Sequence, residues 1–188
     1  MPMAELPEDL SRLSLAEIAR MAADRKLPPV ESWHPERTGD SAMRIARDGR
    51  WFHEGSPIAR PNMVRLFSTI LRREPDGSHV LVTPAEKLSI EVEDAPFLAV
   101  EVKSEGQGRA RRLAFRLNTG DMVVAGPEHP LRFEDRDGEP APYLAVRGGM
   151  DARIARAPFY ELAELALEEG ATPPGLWSDG RFFAMAAS

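Results

Sequence analysis

Three runs in the middle of the chain alternate apolar and polar residues with a period of two. Leu88, Ile90 and Val92 stand opposite Ser89, Glu91 and Glu93. Leu98, Val100 and Val102 stand opposite Glu101 and Lys103, and Leu113, Phe115 and Leu117 opposite Arg112 and Arg116. Successive side chains of a strand point to opposite faces, so this spacing predicts a sheet with one buried and one wet side. The joins are short, at Asp94-Ala95-Pro96 and at Glu105-Gly106-Gln107-Gly108. Short joins predict antiparallel hairpins in a meander. Seventeen prolines favour turns over long helices.

Helices are few. Ser14-Leu15-Ala16-Glu17 is a capping box that starts a helix from about Leu15 to Arg25, stopped before Pro28-Pro29. Leu27 to Asp40 reads as a proline-stiffened arm, with Trp33 as a packing residue. Met43 to Arg47 and Trp51 to His53 flank Asp48-Gly49, a hairpin signal. Pro61 opens a second helix, predicted to run to about Arg73. Pro158 opens a third, which Gly170 closes. Ile58-Ala59-Arg60 and Ile154-Ala155-Arg156, 154 − 58 = 96 residues apart, each lead a strand into a helix. Asp-Gly-Arg-aromatic-Phe also occurs twice, at Asp48 and at Asp179.

These elements predict an α+β chain of two β-rich domains with a repeated strand-helix motif. Residues 1–80 would hold the first helix, the arm and a small hairpin-and-helix domain. Residues 81–188 would form an antiparallel barrel or sandwich with a capping helix, in the strand order of a pleckstrin-homology-like fold. Each domain is expected to have its own buried centre, with a wet crevice between them.

Composition excludes several functions. Without cysteine there are no disulfides, thiol nucleophiles or zinc–thiolate sites, which suits a reducing cytosol. Glu5, Glu8 and Asp9 interrupt the N-terminus, so no secretory leader is expected, and no run reaches the ~20 apolar residues of a membrane span. A net charge of −6 argues against nucleic acid as a partner.

Candidate binding residues come from predicted loops. Thr38-Gly39-Asp40 is echoed by Thr119-Gly120-Asp121, and His34-Pro35 by His129-Pro130. The sequence hypothesis is that Trp33, His34, Thr38 and Asp40 of the arm converge with Asn118, Thr119, Asp121, His129 and Arg132 on one cleft. Amide, carboxylate, imidazole and guanidinium groups together suit a polar or phosphorylated small molecule. As turn residues, the same pairs need no ligand. The helix charges Arg65, Arg72 and Arg73, and their counterparts Glu161, Glu168 and Glu169, read as solvated faces. The four histidines lack metal-ligand spacing, Gly106-Gln107-Gly108 lacks the dinucleotide context, and Ser56 lacks a nucleophile elbow. Glu91, Glu93 and Glu101 read as cross-strand partners of arginines.

In order along the chain, Asp48-Gly49-Arg50-Trp51-Phe52, Gly55-Ser56-Pro57-Ile58, Met63-Val64-Arg65-Leu66-Phe67, Leu81-Val82-Thr83-Pro84-Ala85-Glu86-Lys87, Val92-Glu93-Asp94-Ala95-Pro96-Phe97, Asn118 with Gly120-Asp121, His129-Pro130-Leu131-Arg132 and Pro142-Tyr143-Leu144 resemble the bacterial family catalogued as domain of unknown function 1285. Ala42 departs from the acidic residue of the family's pattern. The resemblance implies two domains with a repeated β-rich motif, a pleckstrin-homology-like C-terminal domain, a site at the domain interface for a nucleotide-like ligand, and a role in signal transduction. It assigns no catalytic residue and no cofactor.

Three functions follow as expectations. The first is a cytoplasmic binding or sensing protein holding a small polar ligand, with a signalling protein as partner. The second is a hydrolase of phosphorylated metabolites using His129 or Asp121. The third is a ligand-free interaction scaffold.

Overall fold

A computed structural model describes residues 13–186. Glu5, Glu8 and Asp9, on which the reading of the N-terminus rests, lie outside the described residues.

Helix α1 (Leu15–Asp24) starts at the expected capping box: the Glu17 amide donates to Ser14 Oγ, and the Ser14 amide donates to the Glu17 carboxylate at 2.8 Å. Its buried face, Leu15 and Ile18, packs on Ala114 and Met122. The arm that follows begins as predicted but becomes a strand sooner.

The first sheet contains β1 (Arg37–Ile45), β2 (Trp51–His53), β3 (Ser56–Pro57), β4 (Leu71–Arg73), β5 (His79–Val82) and β6 (Glu86–Val92), with α2 (Pro61–Ser68) between β3 and β4. Its order is β3-β2-β1-β6-β5-β4. The second contains β7 (Phe97–Glu105), β8 (Arg112–Leu117), β9 (Met122–Val124), β10 (Leu131–Arg136), β11 (Glu139–Arg147) and β12 (Met150–Ile154). Its order is β10-β11-β12-β7-β8-β9. Helix α3 (Arg156–Glu169) and the hairpin β13 (Gly175–Ser178)–β14 (Arg181–Ala184) follow, and α3 packs on β7 and β13. The chain is thus α+β, with two sheet-rich domains and few helices.

Counted within its own domain, each sheet follows one order: two three-stranded meanders joined through their first and last strands. That central pair is parallel in both, β1 with β6 and β12 with β7, so the sheets are mixed rather than purely antiparallel. Matching strands begin 60 to 66 residues apart, from Arg37 and Phe97 (97 − 37 = 60) to Ser56 and Met122 (122 − 56 = 66). The 96-residue echo is local: Ile-Ala-Arg leads into α2 after the third strand of one domain and into α3 after the sixth of the other.

In the second sheet, six residues join the outermost strands β9 and β10, and Gly126 and His129 exchange both backbone hydrogen bonds across that turn. Five gaps of about 4.8 Å would make a flat sheet some 24 Å wide. So short a join requires the sheet to roll.

Several sequence expectations are corrected. Residues 37–40 are strand, not arm, and pair in parallel with Glu86 to Ser89. The ladder shifts register after Asp40, where Ala42 takes φ 56° and Asp40 Oδ1 accepts its amide at 2.9 Å. Helix α2 ends at Ser68, because Leu71 to Arg73 pair with β5 instead of continuing the helix. The turn Asp94-Ala95-Pro96 is not a hairpin. Tyr143, Arg136 and Arg153 hold the Asp94 carboxylate, and the chain crosses there from the first sheet to the second. A register shift between Ala99 and Glu101 turns Phe97, Ala99 and Val102 inward in place of Leu98, Val100 and Val102.

The expectation of two separate buried centres fails. Ile45, Trp51, Leu71 and Ile90 of the first domain and Phe97, Phe115, Leu144 and Leu162 of the second belong to one continuous hydrophobic core. The two inner faces turn toward each other, and burying each such side chain contributes about 1.5–3 kcal/mol. Residues 80 and 81, where the sequence divides the two regions, lie inside β5.

Candidate functional site

The nine sequence candidates do not gather in one place. Of three surface cavities, one takes in His34, the second takes in Asp40, and the third takes in none of the nine. Thr38 lies exposed on β1, paired with Lys87. Trp33 is half-buried, and its carbonyl accepts from Arg72 Nη1 at 2.7 Å. Arg72 also binds the Val30 carbonyl and Glu74, so this buried arginine latches the arm to β4 and is no solvated charge. Glu169 is likewise engaged, with Arg111 at 2.6 Å.

Thr119 and Asp121 do meet. The Thr119 hydroxyl donates to Asp121 Oδ2 at 2.8 Å, and both are buried. The carboxylate is already compensated by Arg25 and by Arg147 at 3.7 Å. Burial, and then the charges of Arg147 and Arg65, lower the Arg25 guanidinium to about 10. It therefore stays charged at neutral pH and fastens the start of the arm to the second domain. His129 donates through Nδ1 to the Ala145 carbonyl at 3.1 Å, which fixes the tautomer. Arg132 lies over the Tyr143 ring between Glu134 and Asp151.

Asn118 has a different task. Its carboxamide oxygen accepts from the Leu98 amide at 3.1 Å, and its Nδ2 donates to the Gly49 carbonyl at 3.0 Å. It therefore pins the β1–β2 turn of the first domain to β7 of the second. Gly49 makes this approach feasible: φ is +86°, and a Cβ there would lie 3.0 Å from the Leu98 Cβ.

Beside this pin lies a cavity of about 710 Å³ walled by both domains. The β1–β2 hairpin contributes Arg44, Arg47, Asp48 and Arg50, and the chain after β6 contributes Glu93. Across from them stand Leu98 of β7, Arg153 and Ile154 at the end of β12, and Arg156 at the start of α3. Five arginines thus face two carboxylates, in a chain of net charge −6.

Three of the five are committed. Arg44 binds Glu93 at 2.6 Å and lies over the Phe52 ring, Arg50 binds Asp48 at 2.8 Å, and Arg153 binds the buried Asp94 at 3.3 Å. The guanidiniums of Arg47 and Arg156 make no hydrogen bond or ion pair among the described residues. Both carboxylates are held below their usual range. For Glu93 the main cause is the Arg47 amide and for Asp48 the Arg50 amide, with arginine side chains adding to each.

The sequence hypothesis does not name these arginines, although it singles out their motifs. Asp48 and Arg50 come from the Asp-Gly-Arg hairpin, and Ile154, Ala155 and Arg156 are the second Ile-Ala-Arg. The signal was the motif, but nothing in one chain's order says that two motifs about 100 residues apart meet across a seam.

Residues 28–95 match the profile of the N-terminal domain of DUF1285, a domain of unknown function, and residues 96–185 match that of the C-terminal domain of DUF1285, a protein of unknown function. The chain is similar to a DUF1285 family protein from Silicibacter pomeroyi DSS-3, solved at 2.50 Å, with 48% identity and a TM-score of 0.79 over 90% of this chain and 94% of that one. It is also similar to a DUF1285 family protein from Shewanella baltica OS155, solved at 1.40 Å, with 25% identity and a TM-score of 0.53 over 66% of this chain and 92% of that one. No curated protein matches it. The chain belongs to the DUF1285 family, and its two β-rich domains are the two domains of that family.

Proposed function

We propose that this chain is a cytoplasmic binding or sensing protein that takes a small, polar, nucleotide-like molecule between its two domains and reports its presence in signal transduction. The observation that carries the reading is the arginine-rich cavity at the seam. A site walled by two domains couples a ligand to both, and an excess of guanidinium groups selects a negatively charged one.

Binding is favoured over catalysis by what lines the cavity. Among the described residues its wall has no histidine, serine, threonine or lysine, and both carboxylates are tied to arginine. No nucleophile–base pair stands there. Reporting to a protein partner has separate support. Helix α3, whose first residue lines the cavity, carries the exposed Tyr160 and Leu167 on its outer side. The absence of cysteine supports the cytoplasmic setting.

Native mass spectrometry of the full chain, purified from cells in low salt, tests this. The expected result is a species a small molecule heavier than the 20.8 kDa chain, which loses the extra mass on denaturation. Arg153→Gln should reduce that species. Bare chain under all conditions would contradict the reading.

A further inference from the structure

The five arginines of the seam cavity are not equivalent, and their pairing defines the charge of what they can hold. Arg44, Arg50 and Arg153 each have a carboxylate within 3.3 Å: Glu93, Asp48 and Asp94. That leaves Arg47 on the first domain and Arg156 on the second, whose guanidiniums have no hydrogen-bonded or ion-paired partner among the described residues, although the charge of Arg47 also acts on Glu93. We infer that the cavity grips a dianionic phosphate monoester group between Arg47 and Arg156, so that the ligand itself bridges the two domains. This rests on the binding reading above and adds the chemical class of the group recognised.

A second feature points to the same chemistry. Ala155 caps α3 without a side-chain hydrogen bond, and Ala155 and Arg156 both line the cavity. The amides of Arg156 and Ala157 therefore start the helix without an intrahelical acceptor. A phosphate has enough oxygens to accept from two guanidiniums and from helix-start amides at once. A group with a single negative charge would leave one of the two arginines uncompensated.

The test is calorimetric titration of the full chain with inorganic phosphate, phenyl phosphate and phenyl sulfate at pH 8 in low salt. Arg47→Gln, Arg156→Gln, the double variant and Arg60→Gln are compared; Arg60 is exposed and outside this cavity. Phenyl phosphate should bind at least tenfold more tightly than phenyl sulfate. Arg47→Gln and Arg156→Gln should each weaken it about tenfold or more, the double variant should abolish binding, and Arg60→Gln should leave it unchanged. All three substituted side chains are exposed, so circular dichroism should report an intact fold. Binding should also fall as pH drops past about 6, where a phosphate monoester takes up its second proton.

Equal affinity in the wild type and the Arg47 and Arg156 variants would overturn the assignment. So would tighter binding of the sulfate. If none of the three probes binds while native mass spectrometry still finds a retained small molecule, the dianion assignment falls and the binding reading stands. If the chain is bare as well, both fall.

Discussion

At the scale of single residues, the seam between the domains depends on polar groups that replace water on both sides at once. Asn118 is the clearest case, since it satisfies an amide of one domain and a carbonyl of the other. Its sequence neighbours marked it as a turn residue with ligand-binding potential, and the structure spends its donors and acceptors on the protein. Truncation would leave the Leu98 amide and the Gly49 carbonyl short of a partner, a loss of about 1–3 kcal/mol. Asn118→Ala should therefore lower the urea midpoint accordingly, and an unchanged midpoint would mean water replaces the carboxamide at no cost.

Acid stability is also a residue-scale matter. Hydrogen bonds from the Arg111 side chain and then from the Gly108 amide, with the Arg111 charge, hold Glu169 below the usual carboxylate range. A carboxyl whose folded pKa is lowered stabilises the fold fully above its unfolded value, about 4.3, and the contribution is lost as pH falls through the lower folded value. Glu17, Glu74, Glu93 and Asp76 are shifted the same way. The denaturation midpoint should thus fall as pH is taken from about 5 towards 3, and Glu169→Gln should flatten part of that slope. A variant with an unaltered slope would show that this pair contributes nothing.

At the scale of elements, α1 stands apart. It docks on the outer side of the second sheet through a small cluster, separate from the main core, of Leu15, Ile18, Ala114 and Met122. Lys103 reaches the Leu13 carbonyl, and Glu105 accepts the Leu15 amide at 2.9 Å. Ile18→Asp should release the helix while both sheets persist. Hydrogen exchange should then lose protection over residues 15–24 and keep it in β7 and β8; loss of protection in both strands would instead make α1 part of the main fold.

Elements of this kind were legible where a local rule fixes them. The Ser14–Glu17 box and the Asp48-Gly49 hairpin lie where their residues place them, and Gly170 ends α3 as read, although that helix begins at Arg156, two residues before Pro158. What escaped the sequence was pairing at a distance. Nothing local distinguishes Val92–Phe97 as a crossing between sheets from a hairpin, because the decision is made by Tyr143 and Arg153 binding Asp94. Likewise, alternation at Leu98, Val100 and Val102 is a true strand signal, but one bulge turns Leu98 and Val100 away from the core while Val102 stays inward. The candidate residues do not converge for a related reason: tertiary partners, which a turn motif does not show, engage Asp121 and His129.

At the scale of the whole molecule, the two domains repeat one strand order yet share a single interior. Trp51 and Phe97 are both almost fully enclosed, each belonging to one sheet, and both belong to the same core. Polar ties reinforce the join, from Arg147 to the Ser68 carbonyl at 3.0 Å and from Arg73 to the Gly149 carbonyl at 2.9 Å. A seam this well closed gives the arginine cavity fixed walls, which a site made from both domains requires if Arg47 and Arg156 are to act on one ligand.

Differential scanning calorimetry of the full chain tests that shared interior most directly. The prediction is one transition whose calorimetric and van't Hoff enthalpies agree, near 130 kcal/mol for 188 residues at about 0.7 kcal/mol each. Two resolved transitions, or a van't Hoff enthalpy about half the calorimetric one, would mean that the sheets unfold separately and would contradict the account.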